Sequence, residues 1–261
     1  MIRIENLHKS FDGIEVLKGA SLEVQDGQVV AIIGPSGEGK SVLLKHLAGL
    51  MRPDSGRVLY DGRDVGRLGR RELAELRSRL GFLFQSGSLF DSMTVYDNVA
   101  FPLREKTRLG EKEIGQRVLD ALAQVGLGGA EQKVPAQLSG GMAKRAAIAR
   151  AMVLSPEIML FDEPTTGLDP VIVHSIHDLI AATHERLGFS GIIVSHEIPS
   201  VFAIVQKVAF LHEGVIQFMG TPQEILATED PVVRTFIREG MPPREFMLTE
   251  QEPTSSTRTE S

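Results

Sequence analysis

Residues 34–41, Gly34-Pro35-Ser36-Gly37-Glu38-Gly39-Lys40-Ser41, carry the strongest chemical signal in the chain. They read as a glycine, four residues, then Gly-Lys-Ser, which is the pattern of a phosphate-binding loop. Such glycines let consecutive backbone N–H groups turn toward a β-phosphate, and the N-terminus of a following helix adds partial positive charge. Lys40 would neutralise the β- and γ-phosphates, and the Ser41 hydroxyl would ligate Mg²⁺. Farther along, Asp162 and Glu163 end an apolar run, as a Mg²⁺-supporting carboxylate and a general base for an attacking water would. Solvation at a strand end is the competing reading, made weak by the apolar run and the upstream loop. Gln85 also closes an apolar run, where its amide could turn toward a metal or a water, though alone it carries little weight. His196 follows a third run and could contact a γ-phosphate. Ser139, Gly140 and Gly141 open a helix and form a second candidate anion site, or simply an N-cap. A single nucleotide needs only one phosphate loop, so a second site makes sense only if two chains face each other.

The elements that must position these groups follow from spacing. Residues 29–33 are an apolar strand feeding the loop, and 41–47 have helical periodicity beyond it, including Val42. Residues 1–7, 16–24, 57–61, 81–84, 158–161, 192–194, 207–212 and 215–219 read as further strands. The stretch 94–130 reads as helical, with Thr94 and Asp97 as candidate caps, and a helix runs from 138 through Met152. Asp169-Pro170 opens another, as N-cap and first helical residue. His177 and His184 on that helix share a face, but no tight ligand cluster accompanies them, so a solvated helix is expected. Residues 222–227 and 231–239 read as a closing helix pair, and 251–261 as a disordered Ser/Thr/Glu-rich end. Phe11, in a turn between the first two strands, fits either a base-stacking role or, more in keeping with Phe in general, a core position. Arginines between 52 and 79 are interleaved with carboxylates and read as a mixed-charge surface. The apolar groups Leu89, Phe90, Met93 and Val95 form a candidate partner patch or a seam with the following helices.

Composition sets bounds. The 261 residues suffice for one large α/β domain with a helical insertion. There is no cysteine, which removes disulfides, thiolate metal sites and thiol catalysis. A net charge of −6 argues against general nucleic-acid binding. No run of eighteen apolar residues and no signal peptide is found, so a cytoplasmic chain that meets membranes only through partners is expected.

Taken together, the motifs resemble those of the nucleotide-binding subunits of ABC transporters. Residues 34–41 resemble the Walker A loop, Gln85 the Q-loop, Leu138-Ser139-Gly140-Gly141-Met142 the signature, 158–163 Walker B, Gly167-Leu168-Asp169 the D-loop and His196 the switch histidine. Six motifs in the family's order carry the assignment. It is similar in particular to the Mla-type ATPases that work with MCE-domain proteins. Met142 in place of the usual glutamine, the continuation Gln85-Ser86-Gly87-Ser88-Leu89-Phe90, residues 97–104 and the closing segment 230–236 carry that closer likeness.

The resemblance implies a P-loop NTPase fold: a RecA-like core with an antiparallel β-subdomain and an inserted α-helical subdomain. On that view residues 1–240 form the ATPase domain, with the helical part at about 88–155, and 241–261 form a partly disordered tail. It also moves Phe11 to an adenine-stacking role. Implied cofactors are ATP and Mg²⁺, the ion held by Ser41, Gln85 and Asp162; Asp169 joins the nucleotide-binding set, and Lys40, Gln85, Glu163 and His196 the catalytic one. Implied partners are a second copy packed head to tail, its Ser139, Gly140 and Gly141 closing on the γ-phosphate, a transmembrane permease, an MCE-domain protein and a STAS-domain regulator. Phospholipid would pass through the complex, and the ATPase would sit on the cytoplasmic side of the inner membrane. An importer ATPase for a polar solute shares the same motifs; Met142 and the Q-loop continuation stand against it. Ribosome- or DNA-acting ABC proteins generally carry two such domains or long coiled-coil insertions, and this chain shows neither. Glu38 departs from the pattern, since a carboxylate aimed at a triphosphate repels it; its side chain is expected to point away.

Overall fold

The computed structural model describes residues 1–85 and 89–241. In chain order the elements are β1 (Ile2–Phe11), β2 (Ile14–Val24), β3 (Val29–Ile33), α1 (Lys40–Leu47), β4 (Ser55–Tyr60), β5 (Arg63–Asp64), α2 (Arg70–Ser78) and β6 (Leu80–Leu83). Then come α3 (Val95–Lys106), α4 (Glu111–Gln124), α5 (Gly140–Met152), β7 (Ile158–Asp162), α6 (Pro170–Leu187) and β8 (Ser190–Val194). The chain continues through β9 (Lys207–His212), β10 (Val215–Gly220), α7 (Pro222–Leu226) and α8 (Pro231–Gly240).

Two sheets result. One has the order β2-β1-β4-β5, all antiparallel; the other has the order β10-β9-β3-β8-β7-β6, parallel except for the β10 edge. β3 is apolar throughout because both its faces are covered. Val29, Ala31 and Ile33 join the core shared with α3, α4, α5 and α6, whereas Val30 and Ile32 join the core under α1 and the antiparallel sheet. At roughly 1.5–3 kcal/mol per fully buried aliphatic side chain, this two-sided burial fixes the strand, and with it the point where the phosphate loop leaves the sheet.

Several expected boundaries move. β1 and β2 extend to a tight turn at Asp12-Gly13, and β6 ends at Leu83, leaving Phe84 exposed. The stretch 94–130 divides into α3 and α4, because the Thr107 hydroxyl donates to the Leu103 carbonyl at 2.6 Å and the chain turns there. Thr94 caps α3 through the Asp97 N–H at 3.0 Å; Asp97 itself pairs with Arg104. Of the two readings offered above for Val95, a partner patch or a seam with the following helices, the seam holds: it is wholly buried, since α3 turns it into the core beside Val99 and Leu103. His177 also departs from expectation: it is only 2% exposed, and neither ring nitrogen finds a hydrogen-bond partner among the described residues. Burial pushes its pKa down to about 4. His184, by contrast, reaches the Gly27 carbonyl at 2.9 Å. The arginine-rich surface is paired as its composition suggests, with Arg57–Glu5, Arg63–Glu72 and Arg79–Asp61 contacts. The tail reading falls almost wholly outside the described residues.

Candidate functional site

The phosphate loop lies where β3 ends and α1 begins. Gly34 has φ +148°, and a Cβ there would stand 2.1 Å from the Leu211 carbonyl oxygen, so only glycine lets the loop leave the sheet at this angle. Lys40 opens α1, is buried, and donates from Nζ to the carbonyls of Gly34 at 2.8 Å and Pro35 at 2.7 Å. Burial lowers its pKa, against the opposing pull of Glu163, Glu38 and Asp162. Its positive charge is thus held at the start of the loop by two carbonyls, within electrostatic reach of three carboxylates. Glu38 does not point freely outward: its Oε1 is 3.2 Å from His212 Nδ1.

Opposite the loop stand the ends of β6, β7 and β8. The order β3-β8-β7-β6 aligns these strands in parallel, so Gln85, Asp162, Glu163 and His196 all emerge at the carboxyl edge, where open α/β sheets bind ligands. Ser41 Oγ donates to Asp162 Oδ1 at 2.8 Å. Burial raises the Asp162 pKa, with the Ser41 hydrogen bond opposing. Glu163 holds the left-handed φ of 49°, a conformation uncommon for a side chain of this kind. Its Oε2 accepts from Gln85 Nε2 at 2.8 Å and from Thr166 Oγ1 at 2.9 Å, and His196 Nδ1 is 3.9 Å from its Oε1. The carboxylate is thus clamped and turned toward the loop.

These groups border a single open cleft of about 540 Å³. Phe11, Val16, Ser36, Gly37, Gly39, Lys40, Ser41, Val42, Gln85, Glu163 and His196 line it. Phe11 is 40% exposed there, which overturns the core position its residue type alone suggested. Gly34, Pro35, Glu38 and Asp162 adjoin the cleft. Ser139, Gly140, Gly141 and Asp169 lie outside it. Ser139 caps α5 by accepting from the Met142 N–H at 3.3 Å, and Asp169 caps α6 through Val171 and Ile172 N–H groups at 3.1 Å. At Gly141 a Cβ would come within 2.9 Å of Ile172, so packing alone accounts for a glycine there.

Matching of the ABC transporter family pattern to residues 17–166 decides the assignment. The chain belongs to that family. It is 42% identical over 238 residues to the intermembrane phospholipid transport system ATP-binding protein MlaF of Haemophilus influenzae, covering 91% of this chain and 90% of that one. Identity to MlaF of Escherichia coli K12 is also 42%, over 85% of this chain and 82% of that one. The probable ribonucleotide transport ATP-binding protein mkl of Mycobacterium leprae is 42% identical over 90% of this chain and 68% of its own length. Among solved structures, a dimeric post-hydrolysis state of the ATP-binding cassette MJ0796 with ADP and Pi superposes with a TM-score of 0.79 at 32% identity, over 85% of this chain and 99% of that one. cbiO1 of Clostridium perfringens gives 0.81 at 34% identity, over 95% and 98%. The expected ABC ATPase fold therefore holds, and the chain is an ATP-binding, ATP-hydrolysing cassette.

Two features of this ABC ATPase escaped the sequence reading. Thr166 has no motif role assigned above, yet it supports Glu163. Lys144, buried on α5, donates to the Gln85 carbonyl and lies among the charges of Glu163 and Asp162; a lysine within an otherwise Ala-rich helix was the available signal. The apolar patch expected around Phe90 is a second cleft of about 430 Å³ beside α3, lined by Leu50, Phe82, Phe84, Phe90, Phe101 and Leu154 among others; of the four residues offered for that patch, Phe90 lines it and Leu89, Met93 and Val95 do not. The buried Asn98 holds the segment that carries Phe90, its amide reaching the carbonyls of Phe90, Met93 and Thr94. Among the described residues no helix is long and apolar enough to cross a membrane.

Proposed function

We propose that the chain is the ATPase subunit of a Mla-type transporter, which uses ATP hydrolysis to drive phospholipid movement between inner and outer membranes. The observation that carries the hydrolytic part is the clamped Glu163 carboxylate facing the phosphate loop across one cleft. The 42% identity to MlaF supports the phospholipid part.

In this reading Phe11 stacks on adenine, and the 34–41 loop with Lys40 holds the phosphates. The hydroxyl of Ser41 and the carboxylate of Asp162 converge within 2.8 Å, with the Gln85 amide nearby, a hard oxygen-donor set that suits Mg²⁺. Bound there, Mg²⁺ would supply charge neutralisation across the β- and γ-phosphates. Glu163 accepts a proton from the attacking water, Gln85 and Thr166 orient that carboxylate, and His196 contacts the γ-phosphate. Since Ser139, Gly140, Gly141 and Asp169 lie outside the cleft, they serve the site of a second copy packed head to tail. Closure of that homodimer moves a transmembrane permease seated in the apolar cleft around Phe90. The subunit then sits on the cytoplasmic side of the inner membrane, with an MCE-domain protein and a STAS-domain regulator in the same assembly.

Purification of the tagged chain from native membranes in mild detergent, with mass spectrometry of proteins and lipids, tests this. A permease, an MCE-domain protein and phospholipid are expected. A permease with a nucleotide- or amino-acid-binding protein and no lipid would replace the cargo assignment, the first in line with the mkl relatives.

A further inference from the structure

Glu38 puts a negative charge in the loop that must receive a triphosphate, and the fold answers it from a distant part of the chain. β9 pairs with β3 so that Phe210 lies opposite Ile33, which sets the end of β9 beside the start of the loop. Gly34 rests there on the Leu211 carbonyl, and His212 comes next, its Nδ1 3.2 Å from Glu38 Oε1. A carboxylate only accepts, so Nδ1 carries the proton whatever the charge of the ring. The ring packs on Phe210 at 5.8 Å, which limits its rotation. Both side chains are largely withdrawn from water, 24% and 20% exposed, so solvent screens the pair only in part. The Glu38 carboxylate also acts on the Lys40 ammonium, which places it within electrostatic reach of the phosphates.

We propose that His212 is a positioning residue for nucleotide binding: it holds the Glu38 carboxylate against the end of β9, so that the loop offers the triphosphate its N–H groups and not a negative charge. This rests on the nucleotide-site reading above. Release of the carboxylate would place a like charge near the phosphates at an intermediate dielectric, which weakens binding without touching the groups that carry out hydrolysis.

The test is a double-mutant cycle on the full chain, measuring Kd for ATP together with KM and kcat for phosphate release. His212→Ala is expected to raise Kd and KM about three- to tenfold, the effect being confined to binding. In a Glu38→Ala background the same substitution is expected to change neither. His212→Asn, which keeps an N–H donor, should retain most of the affinity. An equal rise in both backgrounds, no rise in the wild-type background, or an Asn variant as weak as Ala would each overturn the proposal. Lys40→Ala tests the underlying site separately: it should abolish ATP binding, and tight binding by that variant would refute the site itself.

Discussion

Replacing Glu163 by Gln separates chemistry from architecture. Glu163 Oε2 receives two hydrogen bonds, from Gln85 at 2.8 Å and Thr166 at 2.9 Å, while His196 is 3.9 Å from Oε1. A glutamine amide oxygen can accept the same two bonds, and its NH₂ then occupies the position facing His196. Fold, cleft and ATP affinity should persist. What disappears is the capacity to take a proton, worth on the order of 10²- to 10⁴-fold in rate, or about 3–5 kcal/mol of barrier. The assay is steady-state phosphate release, with Kd for ATP measured on the same preparation and the oligomeric state followed by light scattering with ATP present. Expected are a rate at least about a hundredfold lower, an unchanged Kd within error, and an ATP-dependent dimer that persists. Turnover near wild type with normal binding would refute the assignment of Glu163 as the base, and loss of ATP binding would show that the carboxylate serves the site's structure instead.

Thr166→Val removes one of the two donors to Glu163, and kcat should fall about tenfold with KM little changed; Thr166→Ser should restore it, and a KM effect alone would contradict the orienting role. His177 is neutral in the fold, with a pKa of about 4 against 6.5 for the free side chain, so the unfolded chain binds more protons between those values. Stability should fall as pH drops from about 6.5 toward 4, by up to about 3 kcal/mol at the lower end. Urea unfolding at pH 7.5 and 4.5 should show a smaller difference for His177→Leu than for wild type. Phe90→Glu places a charge in the apolar cleft, and the variant should bind ATP yet fail to co-purify with a permease; undiminished recovery would place permease docking elsewhere.

Much of the arrangement is legible in linear sequence because its signals are local. The β3 run, the glycine loop and the start of α1 are contiguous, and Gln85, Glu163 and His196, the side chains proposed for hydrolysis beyond that loop, each lie within two residues of the end of a short apolar strand. Proximity across strands is another matter. Glu38 and His212 are 174 residues apart, and their meeting depends on β9 pairing beside β3. His177 looks like a polar residue on a surface helix; only the packing of α6 turns it inward, at the cost of two ring nitrogens with no partner among the described residues. Val95 fits a partner patch as well as a helix seam until Thr94 starts α3 and fixes which face looks inward. Phe11 runs the opposite way, since a large aromatic ring normally signals core, and here the end of β1 presents it to the nucleotide cleft.

The tie between Lys144 and the Gln85 carbonyl gives α5 two allegiances. Of the two glycines in its first turn Gly140 is exposed and, on the proposed head-to-tail pairing, would meet a neighbour's nucleotide, whereas one turn later its lysine donates to the carbonyl of this chain's own Gln85. A helix is stiff along its axis over so short a span. On the proposed pairing, a displacement of α5 toward the neighbour's ATP would therefore pull on Gln85, and through it on the Glu163 carboxylate at home. The same two hydrogen bonds would then carry news of one copy's fuel to the other's hydrolytic clamp without a separate messenger.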